Sequence, residues 1–474
     1  MSMDAGLMTY DCQKFTNAIE QIEELAKSVS KPDTDSRVIQ LDALRFWSAN
    51  AQAMKKFQHF SKEDINQFKL ERLKRLVDFA YEKVPFYRQL YTSVGYEPGA
   101  IASLEDFSKL PIVTKRQLRE FEMVERVSSP HKIISTPSTR TSGSSGTPFI
   151  SFHDQPDILR DYSEVLRFYN SCLKRPLESG DWIYLIHHAG LWVSSFDGTY
   201  RTFQLPDLFP ATPLGQHLEF LRPRVISTLP SYLPLIKEMG LRLSDYGVEA
   251  IVTNSEYSPQ SERDFYAREL GVAVFDEYSS EEFGLIATQC SHGMYHVVED
   301  GVHVEIIDKD ASELGTVICT DLNNWFMPLI RFEHGDLARE VSAHEACSCG
   351  RHGARISEVN GRSDDAFLTA DNRVVPSASI LAAVDDVLVE HDLNLNEFRV
   401  IQTSATDVLL QTIYSGPTYC EMPKLLGHFN ERLIALFGYS VNLHHQEVAA
   451  LADVKSYKRK CLVRDWSKSN HVPG

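Results

Sequence analysis

No basic tract interrupts this chain, in which 48 Lys and Arg stand against 65 Asp and Glu for a formal charge of −17. The clustered cations of a nucleic-acid surface are therefore missing, and the excess acid serves solubility. Also missing is any run of the roughly 20 apolar residues that a bilayer crossing needs, although 43% of the residues are hydrophobic. The opening stretch, MSMDAGLMTYDCQKF, lacks the charged-then-apolar pattern of a secretory leader, and the cytoplasm is the expected location. Cysteine is scarce: eight in 474 residues exclude a disulfide framework and leave inert thiols or a metal site.

What is present is enough chain for a large domain with a smaller companion. FTNAIEQIEELAKSV and LERLKRLVDFAYEKVPFYRQLY have helical spacing, the second up to Pro85. SLEDFSKLPIVTKRQLREFE predicts two short helices around Pro111, capped by Ser103 and Thr114. From about 181 to 290, WIYLIHH, RVISTL, EAIVTNSE and VAVFDEYSS alternate with helical LPLIKEMGLRL and SERDFYARELG, the mark of a parallel sheet with crossover helices. HVEIID, GTVICTD and LIRFEHGD predict short antiparallel strands. After NGRSDD come a hairpin in FRVIQTSATDVLLQTIYS, an amphipathic helix in PKLLGHFNERLIALFG and a strand in VNLHHQEV. The fold class is thus α/β with a small α+β domain behind it.

One loop asks for a chemical explanation. In TRTSGSSGTPFISF, Thr141, Ser142, Gly143, Ser144, Ser145, Gly146 and Thr147 place hydroxyls beside backbone freed by glycine, a cradle for phosphate oxygens. A Walker loop needs Lys after its last Gly, where this chain has Thr147 and Pro148. Taken alone, such a cluster is more often a surface linker.

The loop does not stand alone. With LVDFAYEKVPFYRQLY and SLEDFSKLPIVTKRQLR upstream, and EYSSEEFGLIA, PLIRFEHGDLA and NGRSDD downstream, the chain resembles the adenylate-forming enzymes. Within them it is similar to the phenylacetate–coenzyme A ligase-like branch, from about residue 72 to residue 463. The resemblance implies a large adenylation domain over residues 1–361, with a helical N-terminal extension, and a small mobile domain over 362–474. It implies ATP-dependent activation of a carboxylic acid as an acyl-adenylate, a task of positioning and charge neutralisation.

Residue by residue, the loop Thr141–Thr147 would cradle the β- and γ-phosphates. Glu282 matches the carboxylate that binds Mg²⁺, an oxygen ligand suited to a hard cation, and Tyr278 would pack on adenine. Asp336 suits the two ribose hydroxyls, with Arg331 close by. Glu256 matches a segment near adenine and metal, although a capping acid reads equally well. The pattern departs from the family at Ser279, usually Gly, and at Glu281, usually Ser or Thr, which leaves the choice of ligand between Glu281 and Glu282 open. Arg362 and Asp364 match the hinge, with Asp364 at the pivot. Lys458 in VKSYKRKCLV aligns with the catalytic lysine, although Tyr457 replaces the usual Gly and Lys455 and Lys460 remain alternatives. His187, His188 and Trp192 lie where the family builds its acyl pocket, and aromatics there favour an aryl or other apolar acid.

Cys290, His296, Cys347 and Cys349 form a separate candidate set for a tetrahedral, structural Zn²⁺, with His292 and His344 as substitutes for the fourth ligand. Some relatives in the branch carry zinc in this region. The co-substrates implied are ATP, Mg²⁺ and a small carboxylic acid. Coenzyme A is the commonest acyl acceptor and an amine the alternative; a homodimer is left open, and neither nucleic acid nor membrane is expected. A reading of another class, a nucleotide-binding regulator without chemistry, sits poorly with Glu282, Asp336, Arg331 and a candidate lysine all retained.

Overall fold

The computed structural model describes residues 52–140, 149–187, 200–309, 313–341, 347–362, 366–371, 373–375, 377–391, 397–413, 422–448 and 462–465. Two compact units emerge. Met1–Glu305, Ile318–His334 and Glu340–Ser357 form the first; Ile306–Val317, Gly335–Arg339 and Glu358–Gly474 form the second.

In the first unit α1 (Lys62–Lys83) starts at Ser61, whose side chain accepts from the Asp64 N–H, and buries Leu73, Leu76, Val77 and Ala80. Val84 is extended and Pro85 opens α2 (Pro85–Ser93), as proline at a first helical position favours. The two expected short helices follow, each on its expected cap. They are α3 (Leu104–Phe107) with Ser103 and α4 (Lys115–Arg119) with a Thr114/Gln117 capping box.

Next come a three-residue hairpin, β1 (Ser138–Arg140) with β2 (Ile150–Phe152), and α5 (Gln155–Ser171). The alternating region then supplies β3 (Trp182–Ile186), β4 (Arg201–Leu205), α6 (Leu214–Leu221), β5 (Val225–Thr228) and α7 (Leu233–Glu238). After it come β6 (Ala250–Thr253), α8 (Gln260–Leu270) and β7 (Ala273–Ser280). These strands pair in parallel in the order β4-β3-β5-β6-β7. Tyr184, Ile226, Ile251 and Val274 of the sheet pack with Leu218, Ile236 and Leu270 of the helices. The stripe Trp182, Tyr184 and Ile186 is spent on this core.

Beyond β7 the direction changes. β8 (Gly284–Gln289) and β9 (Tyr295–Val297) run antiparallel, and the start of β13 (Arg355–Arg362) pairs with β9 at Arg355 and His296. Between them in sequence lie β10 (Val302–Ile307), β11 (Leu314–Asp321) and β12 (Phe332–Glu340). One stretch of α5 is ionic where apolar packing would be expected. Arg160 bonds Asp157 and Glu164 at 2.7 and 2.6 Å, and Arg167 forks onto Asp300 at 2.6 and 2.8 Å, all buried.

The second unit holds the ribbon β14 (Phe367–Leu368) with β15 (Val374–Val375), α9 (Ser377–Glu390), β16 (Glu397–Gln402), β17 (Asp407–Ile413), α10 (Met422–Phe437), β18 (Asn442–Glu447) and β19 (Leu462–Arg464). β16 and β17 form the expected hairpin, flanked in parallel by β19 and β18. Leu425, Phe429, Leu433 and Phe437 of α10 are buried, each such side chain contributing about 1.5–3 kcal/mol. Among the described residues no helix is long and apolar enough to cross a membrane.

Candidate active site

The phosphate loop Thr141–Thr147 lies outside the described residues, but the strands that carry it do not. β1 and β2 pair from Ser138 opposite Phe152 to Arg140 opposite Ile150. Phe149 is buried with its ring 5.9 Å from that of Phe332, and Phe152 is buried 5.8 Å from Phe326. The Asn324 amide donates to the Phe152 carbonyl at 2.7 Å. The base of the loop is therefore held by packing and hydrogen bonding on its C-terminal side.

Tyr278 lies near the end of β7 and Glu282 in the tight turn, residues 281–283, that leads to β8, with an irregularity in the pairing between Tyr278 and Ser279. Gly284 has a φ of +61°, and a Cβ there would collide with the Asp161 carboxylate; only glycine fits both demands. Tyr278 is buried, and its hydroxyl lies 3.0 Å from His334 Nδ1, the two rings standing edge to face. Glu281 is exposed, whereas Glu282 is 2% exposed with Lys115 Nζ 2.6 Å from its Oε1. The contact is an ion pair, without the alignment of a hydrogen bond. Burial opposes the charge on Glu282, but His334 and Lys115 outweigh it and hold the carboxyl below its usual range.

Lys115 is the residue that the sequence reading did not assign. It reaches Glu282 because Val113 forms a parallel bridge to Phe332: the Val113 N–H donates to the Arg331 carbonyl at 2.9 Å, and the Glu333 N–H donates to Val113 at 2.8 Å. Its ammonium also stands 5.9 Å from the centre of the Phe332 ring. Arg331 has a φ of +48° and is 5% exposed. Its guanidinium forks onto both Glu305 oxygens at 3.0 Å and donates to the Leu110 carbonyl. Arg331 thus clamps the segment that delivers Lys115.

Four of the remaining candidates are among the described residues. Glu256 accepts from the Ser231 N–H at 3.1 Å, at the start of a short 3₁₀ turn. His187 follows β3 and is tied through its backbone to Leu205 and to the Gln204 side chain. Asp336 is buried and belongs to the second unit. Arg362 ends β13. His188, Trp192, Asp364 and Lys458, with Lys455 and Lys460, lie outside the described residues.

The four metal-ligand candidates converge. One ligand atom from each of Cys290, His296, Cys347 and Cys349 lies within 4.8 Å of all the others. The sulfurs of Cys290 and Cys347 are 3.7 Å apart, and Cys349 Sγ is 3.2 Å from His296 Nε2. Two thiolates on one tetrahedral zinc stand about 3.8 Å apart, from the Zn–S length, so this donor set fits that ion. Burial first, then Arg351 and Arg355, push the His296 pKa down to about 3 and keep the ring in the neutral form that ligates. His292 is not in the group, and His344 lies outside the described residues.

No family model matches the chain. It is 27% identical over 355 residues to a phenylacetate-coenzyme A ligase of Thermus thermophilus, covering 70% of this chain and 78% of that one. It is 24% identical over 433 residues to the Pseudomonas putida phenylacetate-coenzyme A ligase, covering 85% and 95%. Among solved structures, 2-hydroxyisobutyryl-CoA ligase in the postadenylation state with 2-HIB-AMP superposes with a TM-score of 0.70, at 20% identity over 86% of this chain and 91% of that one. That likeness extends the α/β fold to a solved ligase. The curated relatives that the chain matches are phenylacetate-coenzyme A ligases, in agreement with the order of motifs that resembles that branch of the adenylate-forming enzymes.

Proposed function

We propose that the protein activates a carboxylic acid with ATP and passes the acyl group to coenzyme A. In the first step a carboxylate oxygen attacks the α-phosphorus of ATP, the bond to the β-phosphate breaks, and acyl-adenylate and pyrophosphate form. In the second step the thiolate of coenzyme A attacks the acyl carbon and AMP leaves. The observation that carries this reading is the buried Glu282–Lys115 pair next to Tyr278, in a chain aligned over 85% of its length with a phenylacetate-coenzyme A ligase.

Thr141–Thr147, which lie between β1 and β2 in sequence, cradle the phosphates. Glu282 is the carboxylate offered to Mg²⁺, which when bound neutralises phosphate charge. Lys115 balances Glu282 while the metal is away. Tyr278 packs on adenine, Asp336 holds the ribose hydroxyls, and Glu256 borders the nucleotide. Arg331 acts through the 110–115 segment. Lys458 enters for adenylation, and Arg362 and Asp364 turn the small domain between steps. His187, His188 and Trp192 line the acyl pocket, which suits an aryl or other apolar acid. Cys290, His296, Cys347 and Cys349 hold a structural Zn²⁺ with no open position. The reaction belongs in the cytoplasm, where ATP and coenzyme A are available.

The test is acid-dependent exchange of labelled pyrophosphate into ATP with a panel of aryl and alkyl acids, followed by product analysis with coenzyme A or with amines. Exchange with at least one acid and thioester formation are expected. Folded protein that binds ATP but exchanges with no acid would favour a regulator, and amide products would replace coenzyme A as acceptor.

A further inference from the structure

His153 follows β2 directly, and its two ring nitrogens face in different directions. Nδ1 lies 2.7 Å from Asp157 Oδ2, whose other oxygen accepts from Arg160 at 2.7 Å. Nε2 lies 3.0 Å from the carbonyl oxygen of Glu281 and 3.1 Å from Thr139 Oγ1. The Thr139 hydroxyl donates to that same Glu281 carbonyl at 2.7 Å. Thr139 stands in β1, opposite Ser151 of β2. One imidazole and one hydroxyl, drawn from the two arms of the hairpin, thus converge on the peptide group joining Glu281 to Glu282.

With Asp157 ionised, Nδ1 donates to it, and in the protonated ring Nε2 donates to the Glu281 carbonyl that Thr139 also bonds. Burial opposes the charge, yet the bond to Asp157 prevails and raises the His153 pKa to about 9. The acidic groups around the ring are Asp154, Asp157 and Asp161 of the α5 region and Asp321 at the end of β11, with Arg160 balancing Asp157.

Resting on the functional reading above, we infer that His153 and Thr139 latch the phosphate-loop hairpin to the backbone that carries Glu282, and so act as positioning residues for adenylation. Phosphate cradle and metal carboxylate sit on separate stretches of chain. Triphosphate must meet both at once, and misplacement of either by about 1 Å costs on the order of 10²-fold in rate. The latch sets their separation before nucleotide arrives. Neither residue touches substrate in this assignment.

The experiment uses the full chain with His153→Phe, His153→Gln and Thr139→Val. Binding of MgATP is measured by calorimetry without acid, and exchange kinetics are measured with the best acid. His153→Phe is expected to weaken MgATP binding about tenfold or more, the scale of losing hydrogen bonds to a charged donor. Thr139→Val loses less, and His153→Gln, which keeps a donor towards the Glu281 carbonyl, recovers part of the affinity. The KM for the acid and acyl transfer from a pre-made adenylate stay within about twofold, because neither uses the loop–metal spacing. A destabilised but otherwise intact fold would lower all of these together. Folded variants that bind MgATP like the native protein, or that lose acid and ATP affinity equally, overturn the latch. If His153→Phe does not fold, Thr139→Val decides on the same criteria. Native protein that binds no MgATP overturns the functional reading, and the latch with it.

Discussion

Lys115 reaches Glu282 because backbone bonds at Val113, two positions earlier, fix where its helix begins. A lysine at the start of a short capped helix reads in sequence as a solvated charge, and only the pairing of Val113 with Phe332 turns it inward. EYSSEEFG is a legible motif that leaves Glu281 and Glu282 open as ligands, and of the two Glu282 is buried and Glu281 exposed. His153 carried no sequence signal, since one histidine after a strand has no spacing to betray a partner. Its charge makes a prediction about pH. A histidine whose pKa rises from 6.5 to about 9 on folding contributes stability that is complete below about 6.5 and is lost as pH climbs through about 9. Asp154 and Asp321, raised to about 7 by burial first, act in the same direction at lower pH. Melting temperature should therefore fall between about pH 6.5 and 9, and MgATP affinity around pH 9, and His153→Gln should lack both changes. A flat profile in the native protein would remove the charge from His153.

Among the elements, those with long periodic patterns were legible. The parallel strands and the helices between them fell where alternation and helical spacing placed them, and so did the α10 helix and its neighbouring hairpin. β1 and β2 were not, because three residues cannot display a period. α9 was passed over as well: in SASILAAVDDVLVE apolar residues fall on most sides and blur the stripe. The grouping of Cys290, His296, Cys347 and Cys349 was legible for the opposite reason, since rare residue types need little pattern. If it holds zinc, metal analysis should return about one ion per chain by the four-ligand rule. Cys347→Ser should then lower melting temperature more than it lowers exchange activity in the surviving fold, because a closed site contributes folding energy. Metal-free protein of unchanged stability would reduce the cluster to packed thiols.

For the molecule as a whole, the chemistry is expected in two stages, and two substitutions separate them. Lys458→Ala should slow formation of the acyl-adenylate by about 10²- to 10³-fold, the scale of one preorganised charge, while transfer from a supplied adenylate is nearly spared. Asp364→Pro should do the reverse, since proline at the pivot hinders rotation to the second stage. Single-turnover measurements of each stage decide it; slowing of the same stage by both substitutions would unseat the lysine or the pivot. The division of the chain has a further consequence for anyone who wishes to take the protein apart. Residues 306–317 and 335–339 belong to the second unit together with 358–474, and Leu314 and Leu337 share one buried cluster with Ala366. A fragment cut at residue 361 would leave Ala366 exposed on one piece and two orphaned leucines on the other. Separately expressed halves should therefore be sticky and short-lived in solution, and co-expression of the two pieces, allowing them to reassemble, is the route by which a split version would regain a soluble fold.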